Sequence, residues 1–360
     1  MQAKALTEET KLETGERRLG TWEKYLSLWV ALCIGAGIGL GRAFPQFSIS
    51  LGELTYAGVS IPVAICLFFM IYPIMVQIPF GQVLRAGKTP KPIAATLIAN
   101  WAIKPFTMAL LGMLFLTVVF KGFLPPEMAQ SYQAGLILLG VAPCTAMVLM
   151  WSYLARGNMG HTVVMTAINS LTMVVLYAPL ARLLLGISGI IVPWRTIAFS
   201  VGIYIGTPLI LGHLTRRWAI TRRGADWFES SLIPKLRLVS IIALLCTLVI
   251  LFILQGSVIV EMPAIVGMIA IPIFLNILLV FGIAYIMSKR MHLDYEDAAP
   301  TALIAGSNHF EVAVAVAITI FGVTSGATLA TVVGVLTEVP FMLFLVWLCR
   351  KTRGFFVHKS

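Results

Sequence analysis

Charge is the scarcest property of this sequence. Only 11% of its 360 residues are charged, where a soluble domain carries about 25%. Its 26 basic and 15 acidic side chains are too few to coat the two or three soluble domains that such a length would otherwise suggest. Cysteine is equally thin: five residues, spaced singly and with no CxxC pair, which excludes a zinc site of the usual spacing and a disulfide framework. No glycine-rich phosphate loop ending in Gly-Lys-Ser/Thr is present, so nothing is built to hold a nucleotide. No cofactor is implied, nor is an ATPase partner. The first 24 residues lack the apolar core and small-residue cleavage site of a signal peptide and read as a retained tail.

What fills the space is apolar. Hydrophobic residues make up 59% of the chain and the mean hydropathy is +0.94, which places it in the lipid bilayer, since a spanning helix needs about 20 mostly apolar residues. Apolar runs bounded by proline, glycine and charge predict an all-α integral membrane protein with ten transmembrane helices at 25-44, 57-79, 92-120, 132-155, 160-185, 193-215, 234-255, 260-288, 297-321 and 327-349. An even count puts both tails on one side, and basic residues gather on the cytoplasmic side of membrane proteins. Here 21 of the 26 fall on one face of the ten-span layout. They comprise Lys4, Lys11, Arg17, Arg18 and Lys24 in the tail, Arg85, Lys88 and Lys91, Arg156, the group from Arg216 to Arg237, Lys289 and Arg290, and Arg350, Lys351, Arg353 and Lys359. The net charge of +11 therefore sets orientation and points to no nucleic acid. The expected organisation is a cytoplasmic tail (1-24), a first repeat of five spans (25-186), a second (187-350) and a cytoplasmic C-terminal tail (351-360).

Two of the ten runs are not ordinary spans. The fourth contains Gly140-Val141-Ala142-Pro143-Cys144-Thr145-Ala146-Met147-Val148, and its proline removes a backbone donor and clashes with the preceding turn. The ninth contains Gly306-Ser307-Asn308-His309-Phe310-Glu311-Val312-Ala313-Val314, with polar and ionisable groups at membrane depth. Both read as broken helices. They start 166 residues apart, and five spans per half make the halves antiparallel. That is the inverted-repeat pattern of secondary transporters, whose interrupted helices meet at the bilayer midplane. Irregular backbone survives there only when buried or lining a cavity, so the site is expected where the breaks cross.

Cys144 follows Pro143 in irregular backbone, where freed amides offer donors to a thiolate. A thiolate is a soft ligand and favours a soft, thiophilic cargo. Several converging thiolates would hold such a cargo too tightly for release, so one thiol with oxygen or nitrogen groups from the opposite break suits a carrier. Cys33, Cys66, Cys246 and Cys349 read as small hydrophobes. Glu311 lies near the middle of the ninth run, where an ionised side chain costs several kcal/mol, and marks a site for a proton or a cation. Glu338, in Leu336-Thr337-Glu338-Val339-Pro340, is either a second coupling carboxyl or a structural group of a proline-kinked helix. Asn308 can hydrogen-bond a hydroxylated cargo. His309 either shuttles protons or satisfies freed backbone groups. Lys104, one turn after Asn100, is explained equally by ion handling, snorkelling or a helix-to-helix hydrogen bond. Glu53, Glu127 and Glu261 fall at span ends and read as solvated.

At the two breaks the sequence resembles the arsenite efflux permeases of the arsenical-resistance type, in the bile acid/arsenite/riboflavin transporter superfamily. The resemblance rests on Ala142-Pro143-Cys144-Thr145-Ala146-Met147-Val148 with Trp151-Ser152, on Gly306-Ser307-Asn308 with Phe310-Glu311-Val312-Ala313, and on Thr337-Glu338-Val339-Pro340. Asn100-Trp101, Lys104-Pro105-Phe106 and Leu329-Ala330-Thr331-Val332-Val333-Gly334 extend it over nearly the whole chain. It implies a ten-span inverted-repeat fold with panel and core domains, and plasma-membrane export of arsenite and sometimes antimonite in exchange for protons. It also implies an essential cysteine at Cys144, as the arsenic ligand, and an essential carboxyl at Glu311. His309 departs from the bulky apolar or amide residue of that family.

Two other readings use the same residues. One is a sodium-coupled importer of an organic anion, with Glu311 and freed carbonyls at a sodium site. The other is an intramembrane enzyme with Cys144 as nucleophile, which needs a general base beside the thiol, for which His309 and His161 are the candidates.

Overall fold

The computed structural model describes residues 26–56, 59–78, 90–145 and 147–356. The N-terminal tail, the basic connection with Arg85 and Lys88, Ala146 and the last residues with Lys359 lie outside the described residues. In chain order, α1 (Leu26–Ala43) bends by 102° into α2 (Pro45–Glu53). A two-residue antiparallel ladder, β1 (Thr55–Tyr56) on β2 (Val59–Ser60), leads into α3 (Ile61–Gln77). Then come α4 (Pro90–Val119), α5 (Pro126–Gly140), α6 (Val148–Leu154), α7 (Met159–Ile187) and α8 (Trp194–Arg223). They are followed by α9 (Ile233–Glu261), α10 (Pro263–Arg290), α11 (Tyr295–Gly306), α12 (Phe310–Phe321) and α13 (Gly326–Lys351).

Every apolar run of the sequence is helical, but not every one is a single long helix. Among the described residues six helices are long and apolar enough to cross a membrane: α4, α7, α8, α9 with its N-terminal extension, α10 and α13. The bent pair α1 and α2 makes a seventh if counted as one span. Of the run at 57-79, Ile61–Gln77 forms the 17-residue α3. The runs at 132-155 and 297-321 are each filled by two short helices, α5 with α6 and α11 with α12.

Proline shapes the long helices. Widened π turns at Ile98–Ile103, Gly202–Gly206 and Phe228–Leu232 each end directly before a residue followed by proline: Lys104-Pro105, Thr207-Pro208 and Ile233-Pro234. Proline lacks the amide of the regular ladder and its ring presses on the carbonyl one turn back. A widened turn at that point relieves the clash and rotates everything that follows.

The helices pack in two groups. In the first, α1 and α3 lie along α9, and α8 lies along α3. The α1 contact is close because Gly37 and Gly41 present no side chain. A Cβ on Gly41 would come within 2.6 Å of the Ile253 carbonyl oxygen, and one on Gly37 within 2.8 Å of that of Val249. Small residues at this spacing let helix backbones approach in a membrane. Gly41→Leu is therefore expected to cost about 1–3 kcal/mol of overpacking strain, read as a lowered Tm in detergent, whereas Gly39→Leu, which has open space, leaves Tm unchanged.

The second group holds α4 to α7 and α10 to α13, and here burial is deepest. All of α11 from Ala298 to Gly306 and α12 from Phe310 to Ile318 are buried. The two broken helices run antiparallel. At one end Tyr295, opening α11, donates to the Ala155 carbonyl just after α6 (2.7 Å), and the Asn158 amide donates to the Glu296 carbonyl (2.7 Å). At the other end the start of α13, just beyond α12, lies against Ser131 and Tyr132 in the first half of α5.

Candidate functional site

Each break frees backbone groups that a continuous helix would have paired, and buried groups of that kind need partners. The two breaks supply part of the need to each other. Pro143 and Asn308 pair as an antiparallel bridge, and the His309 amide donates to the Ala142 carbonyl at 2.8 Å. The rest comes from neighbouring helices. Asn169 of α7 donates to the Cys144 carbonyl (3.3 Å) and accepts from Asn100 of α4 (3.2 Å). Lys104 of α4 donates through Nζ to the Ser307 carbonyl (2.8 Å).

Glu338 of α13 pins the second break. Its Oε1 accepts from the Ser307 hydroxyl (2.5 Å) and the Asn308 amide (2.9 Å), and its Oε2 from Asn308 Nδ2 (3.3 Å). All three partners are donors, the set an ionised carboxylate satisfies. Glu311 has a different surrounding. Its Oε1 has no partner within the protein, and its Oε2 lies 3.5 Å from His309 Nδ1. That same Nδ1 accepts from the Val312 amide (3.3 Å), so His309 caps α12. A carboxylate facing an accepting nitrogen repels it unless a proton lies between them.

Cys144 is 2% exposed. It follows Pro143, which pairs with Asn308 of the opposite break. Thr145 Oγ1, Trp151 Nε1, Ser152 Oγ, Asn308 Oδ1, His309 Nε2 and Glu311 Oε1 are buried with no partner within the protein. Native interiors leave few such atoms, and these all sit on the two breaks or the helices that follow them. They can serve a small cargo bearing several hydroxyls, both as donors and as acceptors.

The structure thus brings Cys144, Asn308 and Glu338 together at the crossing, with Glu311 at the start of α12. His309 lies at the break as a helix cap, the second of its two sequence readings. His161 pairs with Thr301 (3.2 Å). Lys104 does not snorkel: it is fully buried and reaches the opposite break. Cys33, Cys66, Cys246 and Cys349 carry no disulfide and lie on α1, α3, α9 and α13. Glu53, Glu127 and Glu261 are exposed at helix ends, as expected. Sequence reasoning passed over Asn169, whose signal was an amide in the middle of the fifth apolar run.

A chain that is helical apart from one two-residue ladder, with at least six membrane-length apolar helices among the described residues, is a multi-pass membrane protein. The chain belongs to the sodium bile acid symporter family, whose sequence profile matches residues 64–262. It is 51% identical over 347 residues, 94% of this chain and 91% of the relative, to the uncharacterized transporter slr0944 of Synechocystis. It is 45% identical to the arsenical-resistance protein Acr3 of Alkaliphilus metalliredigens, covering 94% of this chain and 95% of that one. It is 33% identical to the arsenical-resistance protein Acr3 of Corynebacterium glutamicum, covering 95% and 92%.

Proposed function

We propose that the protein exports arsenite, the neutral hydroxylated form of trivalent arsenic, from the cytoplasm in exchange for protons, and so confers arsenic resistance. The observation that carries this reading is the thiol of Cys144 at the crossing, among buried polar atoms without partners. Near-full-length likeness to two proteins named for arsenical resistance supports it. Antimonite shares the thiophilic, hydroxylated chemistry and belongs to the same proposal.

In the inward-open form arsenite reaches Cys144. The thiol displaces one hydroxyl, forming a sulfur–arsenic bond and releasing water. Asn308 Oδ1 and Glu311 Oε1 hold the remaining hydroxyls. Rocking of one helix group against the other opens the site outward, where water cleaves the sulfur–arsenic bond and restores the thiol. Glu311 takes up a proton there and gives it up inside on return. Glu338 holds the second break in register throughout. One charge moving inward contributes about 2.3 kcal/mol per 100 mV, roughly a fiftyfold gradient.

The architecture that fits this cycle has ten spans in two inverted five-helix repeats, at 25-186 and 187-350. Its panel comprises α1 to α3, α8 and α9; its core comprises the remaining helices. Both termini are cytoplasmic, in the plasma membrane. Helical structure in all ten apolar runs, the antiparallel crossing and the sorting of basic residues support this layout.

The family description favours one other reading, a sodium-coupled organic anion symporter. Everted vesicles separate the two. Arsenite is expected to accumulate when the lumen is acid, to dissipate that acidity, and to do so equally in choline and sodium media. Accumulation only with sodium, or none at all, overturns the proposal.

A further inference from the structure

Membership of a sodium symporter family implies a sodium ion, and in interrupted-helix carriers freed carbonyls at helix breaks coordinate such an ion. The groups present here do not fit one. The Ser307 carbonyl, the freed oxygen between α11 and α12, already accepts from the Lys104 ammonium at 2.8 Å. Lys104 is fully buried. Its segment is also held in place: Asn276 of α10 donates to the Lys104 carbonyl (3.5 Å) and to Thr107 Oγ1 (2.7 Å). The π turn that ends directly before Lys104 sets the direction in which the side chain leaves α4. Opposite it, the Ser307 hydroxyl and both amides of Asn308 donate to Glu338. A buried cation and a buried carboxylate thus both hold Ser307, the carboxylate holding Asn308 as well, and a sodium ion at the Ser307 carbonyl would meet a positive charge at close range.

We propose that Lys104 is a tethered cation that stands where a coupling sodium ion would sit, so that the crossing is assembled and kept charge-balanced without sodium. Lys104 is then a positioning residue for the second break. It also determines ion specificity, because removing its ammonium leaves the Ser307 carbonyl open to a free alkali cation, with the Glu338 carboxylate bonded to the same residue to balance the charge. The proposal concerns cation binding alone and does not depend on arsenite being the cargo.

The test is a thermal-shift measurement on purified wild type and Lys104→Ala in detergent, without arsenite, in sodium chloride against choline chloride at equal ionic strength. Wild type is expected to show the same Tm in both salts. Lys104→Ala is expected to melt lower in choline and to gain about 2–4 °C in sodium, a gain lost in Lys104→Ala/Glu338→Gln. A merely structural lysine would lower Tm equally in both salts. In vesicles, the variant's transport is expected to fall about tenfold in choline, as for loss of one charge-assisted hydrogen bond, and to recover severalfold with sodium. Recovery of the variant only when purified in sodium supports the proposal. Recovery in neither salt counts against it, because a place shaped for a cation accepts sodium. A sodium-specific Tm gain in wild type, which needs no variant, overturns it outright.

Discussion

Cys144→Ser is expected to abolish arsenite accumulation in everted vesicles, by about a hundredfold or more, while a protein lacking Cys33, Cys66, Cys246 and Cys349 transports as wild type. The hydroxyl of serine is isosteric enough to keep the crossing folded, since Cys144 contributes its carbonyl, not its thiol, to the bond with Asn169. What it cannot supply is a soft sulfur for arsenic. A hundredfold loss corresponds to about 2.7 kcal/mol of lost interaction. Wild-type rates in Cys144→Ser, or loss confined to the protein without the other four, would remove the thiol from the mechanism.

The second large effect separates the two carboxyls. Glu311→Gln keeps size and polarity but cannot exchange a proton. It is expected to retain arsenite counterflow between equal concentrations and to lose accumulation driven by lumenal acidity, about tenfold or more. Glu338→Gln fails differently. Its amide nitrogen would face either the Ser307 hydroxyl and the Asn308 backbone amide or Asn308 Nδ2, donor against donor. Losing bonds to a charged acceptor costs about 1.5–3 kcal/mol each, so its Tm falls by several degrees and both transport modes decline together. Unimpaired acid-driven accumulation in Glu311→Gln removes the proton role, and an unchanged Tm in Glu338→Gln removes the pin.

Much of this site could be read along the chain. Pro143 in one apolar run, and Gly306-Ser307-Asn308 in another, announce interrupted helices because proline and small polar residues disturb a helical ladder locally. The structure ends one helix at Gly140 and begins the next at Val148, and likewise ends one at Gly306 and begins the next at Phe310. Cys144, Asn308 and Glu311 stood out as polar or reactive groups in apolar surroundings. The partners of these residues were not legible. Whether Glu338 kinks its own helix or serves another depends on a neighbour 30 residues away in sequence, and Lys104 reaches its acceptor across 203. His309 read as either shuttle or cap until the Val312 amide settled its Nδ1.

Hydropathy and charge are local and additive, so the sequence alone determined an all-helical membrane protein and the places where its helices break. The tertiary structure decided which buried charges meet. A buried ion is tolerated only with partners, and those partners lie on other helices: the carboxyl of α13 and the ammonium of α4 converge on Ser307 of the second break because the packing of α4, α11 and α13 brings them there.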